Sequence, residues 1–442
     1  MHRSLSVLVL IILLVGCAQP DVQPTPPPAA VEIESPAPEP SPARPPTTVE
    51  IDPTSTPAPT PTPAPIGDCP ASFEQLDPID HALFESVSSI NHVFIDRRFM
   101  IWDGKYHFED MPMLLARRDL AGVPPRYGFL FNWSNGVLEH GGVFETPSSL
   151  DLGIVYCVSP LAHAQDLIGV PALLRQPTHD ADLPITITTP GGRQTNDDSV
   201  FLLIYGDRSK EPRLADRLAD PRATERWTSY VVRAVFGRWQ AVEGALDEQF
   251  QLAAPESGGQ AQPPTQEQMA LALLEQRILA AALRADGADE QLVRQFVAVR
   301  QLRLPQAAGA LAEQAREQRD GTAEYVAERF AAAGGQIRLQ SWPERLLAGY
   351  AGERTTAPSG GVPPIGDYLR DEHPGLVGAA IGELLDASAI PWRGQMADGK
   401  TPFDILASAF PPGEDERETL VAQAKAAFGY DELVARIEAA RR

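Results

Sequence analysis

Metal binding and catalysis need particular side chains at particular spacings, and in this 442-residue chain the spacings exclude most familiar chemistries. The chain has eight histidines. His81, His92, His107, His140, His163 and His179 include no pair at the i, i+4 separation that would place two imidazoles on one helix face, and the next histidine is His373. Three cysteines, Cys17, Cys69 and Cys157, cannot make a four-thiolate zinc site or a disulfide scaffold. There is no G-x-S-x-G nucleophile elbow, no Walker loop and no G-x-G-x-x-G turn. The glycine turns "TPGGRQ" (189–194) and "PSGGVPP" (358–364) open no helix and make poor phosphate cradles. His179-Asp180-x-Asp182 has ligand-type residues but sits in a proline-flanked stretch and reads as a solvated loop. With 59 acidic and 37 basic side chains the net charge is −22, which argues against a nucleic-acid partner.

The elements that would position a site fall into two halves of one domain, 67–220 and 221–442, an α+β arrangement. After a helix around Asp80–Ile90, short runs rich in aromatic and β-branched residues predict strands at Phe99–Trp102, Met113–Arg117, Tyr127–Trp133, Gly153–Cys157, Pro184–Thr188 and Val200–Tyr205. Short connections such as Pro124-Pro125 and Asn135-Gly136 suit a mixed or antiparallel sheet. Beyond Pro221 the period becomes helical: Trp227, Val231, Val235, Trp239, Val242 and Leu246 mark a helix over 225–246. Further helices are expected at 266–286, 288–302, 306–333, 376–387, 402–409 and 416–440, a strand at 336–340, and an exposed loop over 255–266.

Three segments of the helical half carry more specific information: "YVVRAVFGRWQ" (230–240), "QRDGTAEYVAERF" (318–330) and "GLVGAAIGELLDASAIPWRGQMADGKTPFDIL" (375–406). In order and spacing they resemble a family of gluzincin-type metallopeptidase-like proteins, in which a helix reads V-H-E-x-F-H-R-W-Q, a later one begins E-G-T-A-x-Y-V, and a third segment reads G-x-x-x-x-L-L-D…W. The resemblance spans about 200–410 and rests on Phe236, Arg238, Trp239, Gln240, Gly321, Thr322, Ala323, Tyr325, Leu384, Leu385, Asp386 and Trp392. It implies a helical half like a gluzincin's, with two histidines and a glutamate for zinc and a second glutamate as base. At those positions this chain has Arg233 and Gly237 for the histidines, Ala234 for the base and Asp320 for the third ligand. Arginine cannot deprotonate and repels a cation, and alanine and glycine offer no donor. The resemblance therefore implies a dismantled catalytic centre with no metal or other cofactor. Arg233 either replaces the cation between Asp320 and Glu324, which share a helix face, or reaches solvent while Asp320 caps its helix. Trp239, Glu324, Tyr325 and Trp392 are candidates to line an old cleft; buried core is the alternative for the aromatic rings.

The N-terminus reads as an address. Arg3, an apolar run from Val7 to Val15, and Leu14-Val15-Gly16-Cys17 resemble a bacterial lipoprotein signal over 1–16, with Cys17 the acylated residue. Residues 17–66 form a Pro-rich tether, with 17 of the 43 prolines between Pro20 and Pro65. Cys69 and Cys157 then either pair or stay as buried thiols. The expected protein is an extracytoplasmic lipoprotein of the bacterial envelope, held at the membrane through Cys17. Its domain would be a non-catalytic, peptidase-like binding or scaffold module for an unknown envelope protein, peptide or solute. An active metallohydrolase with relocated ligands and a solute-binding lipoprotein are the alternatives.

Overall fold

The computed structural model describes residues 69–102, 106–117, 127–133, 141–159, 167–168, 183–187, 199–205, 222–242, 264–284, 289–307, 309–335, 341–348, 365–396 and 399–441. The chain divides into Met1–Thr62 and Pro63–Arg442. The expected signal peptide, Cys17, the tether, His140, His163, the 179–182 motif, Leu246 and the 336–340 strand lie outside the described residues.

Within Pro63–Arg442 the fold is α+β, with the sheet first and helices after it. Helix α1 (Pro78–Ile101) starts where Asp77 accepts from the backbone N–H groups of Ile79 (2.9 Å) and Asp80 (3.0 Å), with Pro78 in the first turn. Leu83, Val87, Ile90, Phe94 and Ile101 turn into the core at helical spacing. That spacing overrides the aromatic, β-like composition of Phe99–Trp102. The expected strand there is instead the last turn of α1 and its cap.

The strands are β1 (Met113–Arg117), β2 (Gly128–Phe131), β3 (Gly141–Phe144), β4 (Val155–Val158), β5 (Leu167–Ile168), β6 (Leu183–Ile187) and β7 (Ser199–Tyr205). Their order is β3-β4-β2-β1-β7-β6-β5, with β1 parallel to β7 and the other pairs antiparallel. β3 and β5 were not anticipated: one starts Gly-Gly and the other has two residues, too little pattern to see. Phe84 of α1 lies edge-on to Phe129 and Phe131, with centroids 4.8 and 5.2 Å away.

Two devices fix α1 to the sheet. Cys69 and Cys157 are paired, closing an 88-residue separation, which in the chain-entropy account is worth about 4–5 kcal/mol. Asp80, fully buried, accepts from Arg117 (2.7 Å), Tyr205 (2.9 Å) and Tyr127, while Asp77 takes the other side of Arg117 at 2.8 Å. Burial raises the Asp80 carboxyl above its usual range, and Arg117 reverses only part of that rise.

The helical half comprises α2 (Arg222–Val242), α3 (Gln266–Ala282), α4 (Glu290–Arg303), α5 (Ala310–Arg316), α6 (Thr322–Ala333), α7 (Trp342–Ala348), α8 (Ile365–Asp371), α9 (His373–Ala387), α10 (Arg393–Met396), α11 (Pro402–Ala409), α12 (Arg417–Ala427) and α13 (Tyr430–Arg441). The expected 416–440 helix is broken at Gly429, whose φ of +66° ends α12. Helices α7 and α8 were not foreseen; at seven residues each they show little periodicity. α5 runs into α6 through a π-turn, Glu317–Gly321. That turn packs on α9 backbone to backbone: a Cβ on Gly378 would lie 2.3 Å from the Glu317 carbonyl oxygen, and one on Gly321 2.6 Å from the Gly378 Cα.

A buried ionic network seats the π-turn. Arg300 donates to Glu275 (2.8 Å) and Glu317 and lies 4.9 Å from the centroid of the Phe403 ring. Arg303 donates to Glu275 (2.6 Å) and Glu313 (2.8 Å). Burial raises the Glu313 carboxyl, but Arg303 more than reverses this and holds it at about 2. His373 is buried beside this network, where desolvation pushes its imidazole down to about 4.

Two outcomes follow from this packing. Gly378→Ala should destabilise the fold by about 3 kcal/mol, whereas Gly366→Ala, where a Cβ meets open space, should leave the urea midpoint level or slightly raised. His373 takes up a proton at higher pH when unfolded than when folded, so its contribution is complete above about pH 6.5 and is lost as pH falls towards 4. Urea midpoints should decline across that window, and His373→Gln should flatten the decline.

Candidate functional site

The three segments singled out in the sequence meet. Helix α2 packs on α6, and both α6 and the π-turn pack on α9. Between α2 and α6, Arg233 donates to Glu324 at 3.1 Å. Two turns along α2, Gln240 donates to the Thr322 hydroxyl, which itself donates to the Gln318 carbonyl.

Glu324 is shared. Arg345, arriving from α7, donates to it from the other side, also reaches Glu328, and stacks with its guanidinium 4.4 Å from the Trp342 ring centroid. The Glu324 side chain is 17% exposed and that of Arg233 44%. Burial pushes the Glu324 carboxyl up, but Arg345 and Arg233 outweigh burial and hold it at about 2. A carboxylate so firmly ionised cannot act as a proton donor near neutrality.

The two expected carboxylates part company. Glu324 takes Arg233, while Asp320 is gripped by the neighbouring Arg319 at 2.7 and 3.1 Å. Nor does Asp320 cap a helix, because α5, the π-turn and α6 are continuous and no helix begins at Gly321. Ala234 and Gly237 are half-buried, and a Cβ on Gly237 would meet open space. Arg233, Ala234, Gly237 and Asp320 thus offer one cation and one carboxylate that is already paired. This set does not fit zinc, and among the described residues no group of three or more His, Cys, Asp or Glu could hold a metal ion.

The aromatic candidates form core instead of lining an open cleft. Trp239 packs on Tyr106 and Phe236, with centroids 5.2 and 5.3 Å away. Tyr325 and Trp392 are almost wholly buried and stand edge-on to each other at 5.2 Å. Their polar ends are satisfied inwardly: Asp386 accepts from Trp392 Nε1 (2.9 Å), from Arg393 (2.7 Å) and from the Tyr325 hydroxyl. The Arg393 guanidinium lies 5.4–5.9 Å from the Trp102, Tyr325 and Trp392 ring centroids. Gly382 admits this cluster, since a Cβ there would stand 2.9 Å from the Tyr325 ring. Neither Arg393, directly after Trp392, nor Arg345, on an unforeseen helix, was singled out in the sequence.

No family model matches the chain, no curated protein matches it and no solved structure matches it. The geometry defines an inter-helix ion clamp beside a buried Tyr–Asp–Trp–Arg cluster. Glu324→Gln leaves Arg233 and Arg345 without their shared anion and should cost about 2–3 kcal/mol in chemical denaturation. Because the Glu324 carboxyl is depressed in the folded state, its contribution is complete above about pH 4.5 and lost towards pH 2. The variant's stability deficit should therefore shrink as the pH falls through that range.

Proposed function

We propose that this chain is a bacterial envelope lipoprotein, acylated at Cys17, whose domain is a non-catalytic gluzincin-like fold serving as a binding or scaffold module. The observation that carries this reading is the Arg233–Glu324 pair, 3.1 Å apart across α2 and α6. A guanidinium occupies the position of the first metal-binding histidine in the resembled pattern, and its partner lies on the helix one turn beyond the third-ligand position. The three motif segments lie far apart in sequence yet pack against one another, which supports the reading. The disulfide suits an oxidising compartment outside the cytoplasm. Among the described residues no helix is long and apolar enough to cross a membrane, so membrane attachment in this reading rests on acylation. Partner recognition would then use a surface rather than the dismantled centre.

Elemental analysis of the purified protein is the first test: zinc should be far below one equivalent. The second restores the pattern with Arg233→His, Ala234→Glu, Gly237→His and Asp320→Glu combined. That variant should bind about one zinc per chain with at least micromolar affinity. A correctly folded quadruple variant that binds no zinc would sink the gluzincin-like reading. Stoichiometric zinc in the natural chain would overturn its inactivity. Acylation is checked separately by palmitate labelling, which Cys17→Ser should abolish.

A further inference from the structure

One half-buried arginine of this acidic domain has not been given an anion. Residues 67–442 carry a formal −18, and Arg117, Arg300, Arg303, Arg345 and Arg393 each meet a carboxylate. Arg238, half-buried on α2, does not: among the described residues no carboxylate or other acceptor pairs with it. Burial alone pulls its guanidinium below the usual arginine range. The acids on the elements that α2 packs against are committed elsewhere. On the π-turn, Glu317 meets Arg300 and Asp320 meets Arg319; on α6, Glu324 meets Arg233 and Arg345, and Glu328 meets Arg345.

The side of α2 beside Arg238 has room for a ligand. Ala234 lies one helical turn before it and Gly237 directly before it, both half-buried, and a Cβ on Gly237 would meet open space. A cation that has lost part of its hydration without gaining a partner lowers the stability of the fold. A guanidinium presents a planar fork of donors that matches the paired oxygens of a carboxylate or a phosphate. The group that completes Arg238 is therefore an oxyanion. Arg238 is not one of the positions compared with metal ligands, so its role does not depend on the ancestry of the centre.

We propose that Arg238 binds the oxyanion of an external ligand, a carboxylate or a phosphate, in the open space beside Gly237. The test measures urea midpoints of the full chain carrying Cys17→Ser, first in chloride and then with inorganic phosphate or acetate replacing chloride at constant ionic strength. The midpoint should rise and saturate with anion concentration, as binding to the folded state alone requires. A larger rise with phosphate assigns a phosphate-bearing ligand, and a larger rise with acetate a carboxylate. Arg238→Met removes the charge and keeps a side chain of similar reach. Its midpoint in chloride should be higher than that of the parent, and its apparent anion affinity at least about tenfold weaker. General salt effects would persist in the variant, so an equal rise in Arg238→Met would overturn the proposal. No rise in the parent up to about 50 mM of either anion, or a lower midpoint for Arg238→Met in chloride, would overturn it as well. None of these outcomes bears on whether the quadruple variant binds zinc.

Discussion

Glycine at 321 and at 378 lets the π-turn of Glu317–Gly321 and helix α9 come into backbone contact, and the helical half is organised about that contact. Any side chain at either position would meet main-chain atoms that cannot move aside. The contact sets the height of α6 against α9, and so brings Tyr325 to Asp386 and Trp392. The π-turn also decides which carboxylates face which neighbours. Glu317 points into the buried network at Arg300, Asp320 lies beside Arg319, and Glu324 meets Arg233 and Arg345. Helical π-turns recur at functional sites because they reorient side chains in this way. Here the turn falls within the segment whose pattern resembles a metal-ligand helix.

Among the described residues, several buried or half-buried carboxylates are met by guanidinium. Asp80 has Arg117, Glu275 and Glu313 have Arg303, Glu324 has Arg233 and Arg345, and Asp386 has Arg393. Such pairs add little net stability over apolar packing, but breaking one leaves an uncompensated charge in low dielectric. They therefore specify which helices meet more than they strengthen the fold. Across α2 and α6 the same device ties two helices together, Arg233 of one meeting Glu324 of the other.

Most of the architecture was legible because it rests on local pattern. Met113–Arg117 reads as a strand and forms one with the same bounds, and Trp227, Val231, Val235 and Trp239 line the buried stripe of α2 at the spacing seen in the sequence. Elements with fewer than two turns or pleats of pattern, such as α7, α8, β3 and β5, were not. Phe99–Trp102 misled because its residues favour strands, while after a kink at Arg97 (φ −132°) the chain turns helical again through Ile101. At the site, the motif order and the absence of any His, Cys, Asp or Glu at 233, 234 and 237 were legible. The partition of Asp320 and Glu324 between different arginines was not, because it depends on how the π-turn rotates one residue relative to the other.

The sequence by itself determined the helical and strand periods and the α+β order. It also determined that Arg233, Ala234, Gly237 and Asp320 cannot supply a zinc ligand set, since that follows from side-chain chemistry alone. It left open whether Cys69 and Cys157 pair and whether Trp239, Tyr325 and Trp392 face a cleft or a core. Tertiary structure decided both, forming the disulfide and burying the rings around Asp386. It alone brought Arg345 to Glu324 and Arg277 to Glu432. These pairings join residues on separate helices, where only packing, not local pattern, sets the distance between them.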